Sequence, residues 1–227
     1  YQTEEEAAKA PNDPNAQGRK KHAGDAIFED VNNDGQLDSK DMIFMGYVRP
    51  DKVGGIINTL KYKGLTVRIV MDWAMGHVID NGFKGQIMGS SRNNNNAIKE
   101  AMTNSWQSAN DGSKYPKYTV QSDYDYQYRN HMRWDNQIGS SASGSTNNSL
   151  YFSKGDYLAF REVSLSYMLP LSWIRKMRLS AVEVFAGAYN IGYIKKYDGM
   201  FPEIYTGVDY GIYPRPRQYN MGVKINF

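Results

Sequence analysis

Five segments of the chain alternate apolar and polar residues with a period of two, and this alternation constrains the fold more than any other feature. In residues 65–75, for example, Leu65, Val67 and Ile69 would lie on one face of an extended strand, with Thr66 on the other. The other segments are residues 53–62, 157–167, 181–190 and 219–227. Period two over about ten residues predicts strands that are half-buried in a soluble sheet or that span a membrane.

Composition agrees with a β-rich chain and excludes several classes of protein. The 227 residues include 18 Tyr and 21 Gly, and aromatic rings suit pleated surfaces while glycine suits turns. There is no Cys, which excludes a disulfide framework and a thiol nucleophile. The net charge of +3 is too small to indicate binding to nucleic acid. A mean hydropathy of −0.65 does not argue against membrane strands, because such strands alternate.

The lengths of the connections favour a membrane barrel over a soluble sandwich. Lys63-Gly64 forms a tight turn between the first two strands, and residues 169–180 form a short link between the third and fourth. Long connections, from about residue 79 to 152 and from 195 to 217, alternate with these short ones. Short turns at one end and long loops at the other are typical of outer-membrane barrels. Alternation alone is more common in soluble sandwiches, so the connections decide the prediction.

Four motifs, in this order along the chain, resemble the C-terminal part of SusC/RagA-type TonB-dependent outer-membrane transporters. They are DVNNDGQLDSKDMIFMGYVRPD (30–51), GDYLAFREVSLSYMLP (155–170), YNIGYIKKYDGMFPEI (189–204) and YPRPRQYNMGVKINF (213–227). The resemblance covers about residues 24–80 and 150–227 and is weak in the loop between them. It implies an all-β fold, namely the C-terminal five strands of an antiparallel transmembrane β-barrel of about 22 strands with long extracellular loops.

The resemblance and the strand pattern together predict the organisation of the chain. The predicted parts are an extracellular loop with a calcium-type turn (1–50), a strand hairpin (51–79), a long extracellular loop (80–152), a second hairpin (153–194), an extracellular loop (195–217) and the terminal strand (218–227). Five strands cannot close a barrel, so the chain would be a fragment or one of two chains, without the plug domain. The resemblance implies that Phe227, a membrane-insertion signal in the family, ends at the periplasmic side. An odd number of antiparallel strands then puts the N-terminal end outside.

The resemblance also implies a function. The chain would belong to a multi-pass importer of glycans or oligopeptides in the outer membrane of a Gram-negative bacterium. A SusD-like surface lipoprotein would act as a lid, and the TonB system would supply energy through the absent N-terminal part. Transport needs no bond chemistry, so we predict neither enzymatic activity nor catalytic residues. The alternatives are a secreted β-rich calcium-binding module and a passive outer-membrane porin.

Residues 30–41 have the spacing of a calcium-binding loop, with oxygen-bearing side chains at alternate positions and Gly35 at the sharp turn. The predicted ligands are Asp30, Asn32, Asp34, Gln36 through its carbonyl, Asp38 and Asp41. An aspartate at the last position is shorter than the usual glutamate, which predicts modest affinity. A loop between strands would not need the flanking helices of an EF-hand. The alternative is a solvated turn without metal.

Aromatic residues of the two long loops are candidates for contact with the substrate or the lid. They are Trp106, Tyr115, Tyr118, Tyr124, Tyr126, Tyr128, Trp134, Tyr205 and Tyr210. The alternative is that these rings pack the loops together. A short helix is also predicted at residues 97–106, with Ile98 and Met102 on one side. The three histidines are too far apart in sequence to indicate a metal site or a catalytic triad.

Overall fold

The computed structural model describes residues 1–88, 90–91, 98–120, 123–130 and 149–227. Its helices are α1 (Glu4–Ala7), α2 (Gly82–Met88), α3 (Lys99–Asn104), α4 (Tyr124–Arg129) and α5 (Leu171–Ile174), with short 3-10 turns at Pro14–Ala16, Ser39–Asp41, Ser149–Tyr151 and Arg175–Met177. Its strands are β1 (Lys52–Tyr62), β2 (Leu65–Met75), β3 (Val78–Asp80), β4 (Ser90–Ser91), β5 (Thr119–Val120), β6 (Phe152–Lys154), β7 (Tyr157–Met168), β8 (Ala181–Lys195) and β9 (Gln218–Asn226). None of the helices within these ranges is long and apolar enough to cross a membrane.

The chain divides into two compact units. The loop unit comprises residues 1–46, 80–152 and 206–211, and the strand unit comprises residues 47–79, 153–205 and 212–227. In the strand unit, the long strands form one sheet in the order β1-β2-β7-β8-β9, and each neighbouring pair is antiparallel. Each of the five segments with alternating residues overlaps one of these strands. The predicted all-β, antiparallel class is therefore confirmed, while closure into a barrel stays a prediction.

The turn between β1 and β2 is the tight hairpin that the sequence predicts. Lys63 and Gly64 both have positive φ, at 46° and 88°, as a two-residue turn matched to the twist of the strands requires. A side chain at position 64 would also be excluded by space, because a Cβ there would lie 2.8 Å from the carbonyl oxygen of Met168. The Met168 N–H donates to the Gly64 carbonyl at 2.8 Å and closes the end of the sheet.

The sheet has one apolar and one polar face, because residues paired across antiparallel strands point to the same side. The apolar face carries Ile56, Leu60, Val67, Ile69, Met71, Leu158, Phe160, Val163, Leu165, Val184, Met221, Val223 and Ile225, together with Asn58. The polar face carries Thr59, Lys61, Thr66, Arg68, Asp72, Glu162, Ser164, Ser166, Gln218 and Lys224, together with Ile57, Val70 and Phe185. Large side chains of the apolar face are exposed: Leu60 is 61%, Val223 57% and Met221 87% exposed.

The loop unit contains a small core of its own. Ala101 of α3, Tyr115 and Tyr151 are buried together, and Ile98 and Tyr118 pack against them. Helix α3 lies within the segment 97–106 for which a short helix is predicted. Helices and aromatic packing thus replace the structureless loop that the connection length alone suggests.

Candidate functional site

A β-bulge places two consecutive charged residues on the polar face of the sheet. The pairing of β2 with β7 shifts register between Val70 and Met71, which pair with Glu162 and Phe160, so Arg161 is the extra residue. A bulge re-aims a side chain that strict alternation would place differently. From Val163 onward the residues of β7 again alternate between the two faces. Arg161 and Glu162 therefore both lie on the polar face, and Phe160 and Val163 stay on the apolar face.

Arg161 joins the carboxylates of two distant segments. Its Nη2 donates to Asp72 Oδ2 of β2 at 2.7 Å, and its Nη1 donates to Glu203 Oε1 at 2.5 Å. The Tyr193 hydroxyl donates to the same Glu203 oxygen at 2.6 Å, and Arg215 Nη2 lies 3.3 Å from the other one. The Glu203 side chain is only 1% exposed. Such a buried carboxylate is stable only while these donors compensate its charge.

Apolar packing holds the segment around Glu203 in place. Ile79, Tyr197, Phe201 and Ile204 form a buried cluster, and Tyr193 of β8 packs against it. The rings of Tyr193 and Phe201 meet edge to face with centroids 5.9 Å apart, a favourable arrangement for aromatic pairs. Residues 197–205 are therefore fixed to the strand unit by a charge network and by a small apolar core.

The acidic loop at residues 30–41 is closed by bonds from its carboxylates to its own backbone. Asp30 accepts the N–H groups of Asp34 at 3.2 Å and Gly35 at 2.8 Å. Asp41 accepts those of Val31 at 2.9 Å and Asp38 at 2.7 Å. Such bonds are characteristic of turns built by aspartate.

The same loop carries its own cation. Lys40 Nζ lies 3.6 Å from Asp34 Oδ2 and 3.7 Å from Asp38 Oδ2. The Gln36 N–H, the Asn32 side chain and Lys40 together lower the pKa of Asp34. Among the described residues, no three His, Cys, Asp or Glu side chains converge as a metal-binding group. Calcium binding by residues 30–41 stays a prediction, and an ion beside Asp34 and Asp38 would have to displace Lys40.

We expect Lys40→Met to tighten calcium binding by the loop, because it removes the competing ammonium group. The double variant Asp30→Ala, Asp34→Ala should lose binding and loosen the loop without disturbing the strands. The measurement is protease sensitivity of residues 30–41 in the intact protein, with calcium and with a chelator. Sensitivity that is unaffected by calcium in both the wild type and Lys40→Met would exclude a structural ion.

Two of the candidate contact aromatics lie in the interior of the loop unit. Tyr115 is 4% exposed, and its hydroxyl donates to Glu100 Oε1 at 2.6 Å, which lowers the pKa of Glu100. Tyr126 is 1% exposed and donates to the Lys117 carbonyl, and burial raises its pKa well above the ordinary value. These rings have almost no surface left for a partner. The structure therefore favours the packing alternative for both.

The remaining candidates divide between exposed and partly buried positions. Tyr205 and Tyr210 are 79% and 51% exposed and stay candidates for contact. Trp106 and Tyr118 are half-buried, and the ring of Tyr128 lies under the Arg19 guanidinium at 4.5 Å. The side chain of Tyr124 and all of Trp134 lie outside the described residues. Phe227 follows β9 and is 93% exposed, and its role as an insertion signal stays a prediction.

Comparison with known proteins bears on the origin of this arrangement. No protein-family model matches the chain. Two curated proteins from Formosa agariphila are similar to the chain in sequence. TonB-dependent receptor P3 is 25% identical and TonB-dependent receptor P26 is 23% identical, each over 216 residues that cover 90% of this chain. The predicted resemblance to TonB-dependent transporters is confirmed. The chain spans about a fifth of the length of these receptors, at 19% and 20%.

Solved structures show the same fold. The RagAB peptide importer in its open-open state aligns with a TM-score of 0.59 at 20% identity, over 88% of this chain and 20% of that one. A structure of the RagAB peptide transporter aligns with a TM-score of 0.58 at 22% identity, over 79% and 17%. The relatives are TonB-dependent receptors and a peptide transporter rather than enzymes, in line with the prediction of no enzymatic activity. Because TonB-dependent receptors are outer-membrane proteins, they also support an outer-membrane location.

Proposed function

We propose that the chain forms five neighbouring strands in the barrel wall of a TonB-dependent outer-membrane importer of oligopeptides or glycans. The observation that carries this proposal is the exposed apolar face, which runs across all five strands of one sheet. Contiguous apolar surface of this extent marks contact with a membrane or a partner. Alternation of apolar and polar faces is the pattern of a barrel strand between lipid and lumen.

The open edges of the sheet support the same proposal. Strand β1 pairs only with β2, and β9 only with β8, among the described residues. Unpaired edges of long strands attract further strands, and a barrel removes them altogether. Further strands, from the same or another chain, would then complete the barrel and enclose a plug. The polar face, with the network of Arg161, Asp72 and Glu203, would line the lumen.

The function is tested by uptake into cells that carry the full transporter. Labelled oligopeptides and oligosaccharides are supplied to cells with the transporter, without it, and with it but lacking TonB. We expect the cells to take up either the oligopeptides or the oligosaccharides. This uptake should be lost both in cells without the transporter and in cells without TonB. Uptake that persists without TonB would instead indicate the passive porin, and a monodisperse, water-soluble chain would favour the secreted module.

The long loops are proposed as the seat of a SusD-like lipoprotein lid outside the cell. Tyr205 and Tyr210 of these loops are exposed, and a lipoprotein bound to the loops would cover their rings. Deleting about residues 110–148 is expected to weaken capture of the lid lipoprotein and uptake, while insertion into the membrane continues. The measurement is a pull-down of the lipoprotein beside uptake in the same cells. Full capture and full uptake by the deletion variant would show that this loop is dispensable.

A further inference from the structure

The short link between β7 and β8, residues 169–180, carries positive charge on its surface. It has no Asp or Glu, and its basic residues are Arg175, Lys176 and Arg178. All three are exposed, and none of their side chains pairs with a carboxylate within the ranges that the structure describes. The other charged groups at this end of the sheet are Lys61, Lys63, Glu183, Lys224 and the carboxyl group of Phe227. More of these are positive than negative, so the end of the sheet is basic as a whole.

Apolar side chains of the same link are also exposed. Trp173 of α5 is 64% exposed, and Leu171 and Met177 are 55% and 59% exposed. Ile174, by contrast, is fully buried and fixes α5 to the strand unit. A tryptophan beside exposed aliphatic side chains and basic residues is typical of a segment that lies at the boundary between membrane and water.

The link lies on the side of the sheet that carries the apolar face. Val184 is on that face, because it pairs with Tyr167 and Val223. Val182 is two residues earlier in β8 and therefore points to the same side. Val184 is 43% exposed, but Val182 is only 6% exposed. Helix α5 lies against β8 at this end, so its buried side covers Val182. The link and the apolar face would thus meet the same lipid.

Aromatic rings mark the end of the apolar face beside the link. One row of paired residues across the strands consists of Tyr62, Leu65, Tyr167, Val184 and Val223. Tyrosines at this position resemble the aromatic girdles that flank the lipid-facing band of membrane barrels. The link begins directly beyond this row, so it lies where the strands would leave the lipid.

We propose that residues 171–178 form a binding site for an anionic phospholipid in the membrane leaflet at this end of the sheet. Arg175, Lys176 and Arg178 bind the phosphate of the headgroup, and Trp173 lies among the upper parts of the acyl chains. The site prefers an anionic lipid to a zwitterionic one, because basic residues near a membrane surface attract its negative charge. This inference rests on the proposed function, because it assumes that the sheet is embedded in a membrane.

The test uses a fluorophore attached to Ser172→Cys in the full transporter, reconstituted in phosphatidylcholine bilayers. Ser172 is exposed and adjacent to Trp173. The bilayers contain a trace of phosphatidylglycerol or phosphatidylcholine with a spin label on the same acyl chain, which quenches the fluorophore on contact. We expect phosphatidylglycerol to be enriched beside the link about tenfold over phosphatidylcholine at low salt. Added salt should reduce the enrichment, because it screens exposed charges.

A matched pair of double variants separates the link from the overall charge of the protein. Lys176→Gln with Arg178→Gln should lower the preference for phosphatidylglycerol to about twofold or less, while quenching by phosphatidylcholine continues. Lys61→Gln with Lys224→Gln removes the same charge from the polar face at the same end of the sheet and should keep the preference. All four side chains are exposed, so both variants should fold.

Equal quenching by the two lipids in the wild type, or an equal loss of preference in both variants, would overturn the lipid site. Displacement of the labelled phosphatidylglycerol by inorganic phosphate would also overturn it, because that result indicates a site for a soluble anion. A second fluorophore, at Val163→Cys on the apolar face, tests the proposed function separately. Quenching at residue 163 without a lipid preference at residue 172 would refute the lipid site alone. Absence of quenching by either lipid at both positions would refute the proposed function instead.

Discussion

Glu203→Ala is expected to release residues 197–205 from the strand unit, at a cost of about 1–3 kcal/mol in local stability. The variant removes a buried carboxylate and leaves Arg161 and Arg215 without their shared partner. The variant removes the hydrogen bonds that Glu203 accepts, but Arg161 keeps its bond to Asp72 and Arg215 is half-exposed, so no unpaired charge is left buried. The measurement is hydrogen exchange of residues 197–205 in the intact protein.

The matched control for this variant is Glu162→Ala. Glu162 is on the same face and lies 3.4 Å from Arg68, but this pair is more accessible, with side chains 20% and 41% exposed. Solvent-accessible ion pairs contribute about 0–1 kcal/mol to stability, so hydrogen exchange of residues 197–205 should change little in Glu162→Ala. Equal protection of residues 197–205 in the wild type and Glu203→Ala would show that the apolar cluster alone holds the segment.

Val163→Lys is expected to destabilise the folded protein in the membrane. The free energy of unfolding should fall by about 2–4 kcal/mol for a position near the bilayer midplane. Val163 is on the apolar face in the middle strand of the sheet, between Ile69 and Ala188. A lysine there would have to bury its charge in lipid or distort the strand. The measurement is the urea dependence of folding into lipid vesicles, with the full transporter.

Ser166→Lys is the control on the polar face of the same strand. Ser166 pairs with Thr66 and Phe185, and a lysine there would point to the water-filled side in the proposed barrel. We expect less than about 1 kcal/mol of destabilisation, since substitutions in a lumen mainly tune selectivity. Similar losses for the two variants would contradict the assignment of the faces.

The strands were predictable because their signal is local. Four of the five alternating segments are nearly as long as the strands they form, while β8 continues beyond its segment to Lys195. The Lys63-Gly64 turn allows only a tight hairpin. The bulge at Arg161 was not predictable, because one extra residue leaves the composition of the segment unchanged. Nor did the sequence indicate that Arg161 meets Glu203, because the two residues are joined through the path of a long loop.

Two features of the loops depend on tertiary structure and could not be predicted from local sequence patterns. The spacing of residues 30–41 predicts a cation site, yet Lys40, which lies within that spacing, places its ammonium beside Asp34 and Asp38. The ring density of the long loop predicts a contact surface, yet Tyr115 and Tyr126 are buried. Burial in a loop follows from tertiary packing rather than from a repeating pattern, so no periodicity distinguishes inner from outer rings.

In the proposed barrel, the apolar face of the sheet contacts lipid and the polar face contacts water. The most direct test is a spin-label scan of residues 66–72 of β2 in the full transporter in lipid bilayers, with single labelled cysteines. Collisions with oxygen should dominate at Val67, Ile69 and Met71, and collisions with a water-soluble nickel complex at positions 66, 68, 70 and 72. Val70 is decisive, because its side chain is apolar but its register places it on the polar face. The predicted result is that contact with water alternates along the strand with a period of two and includes Val70. Uniform contact with water along the strand would contradict the assignment of the apolar face to lipid.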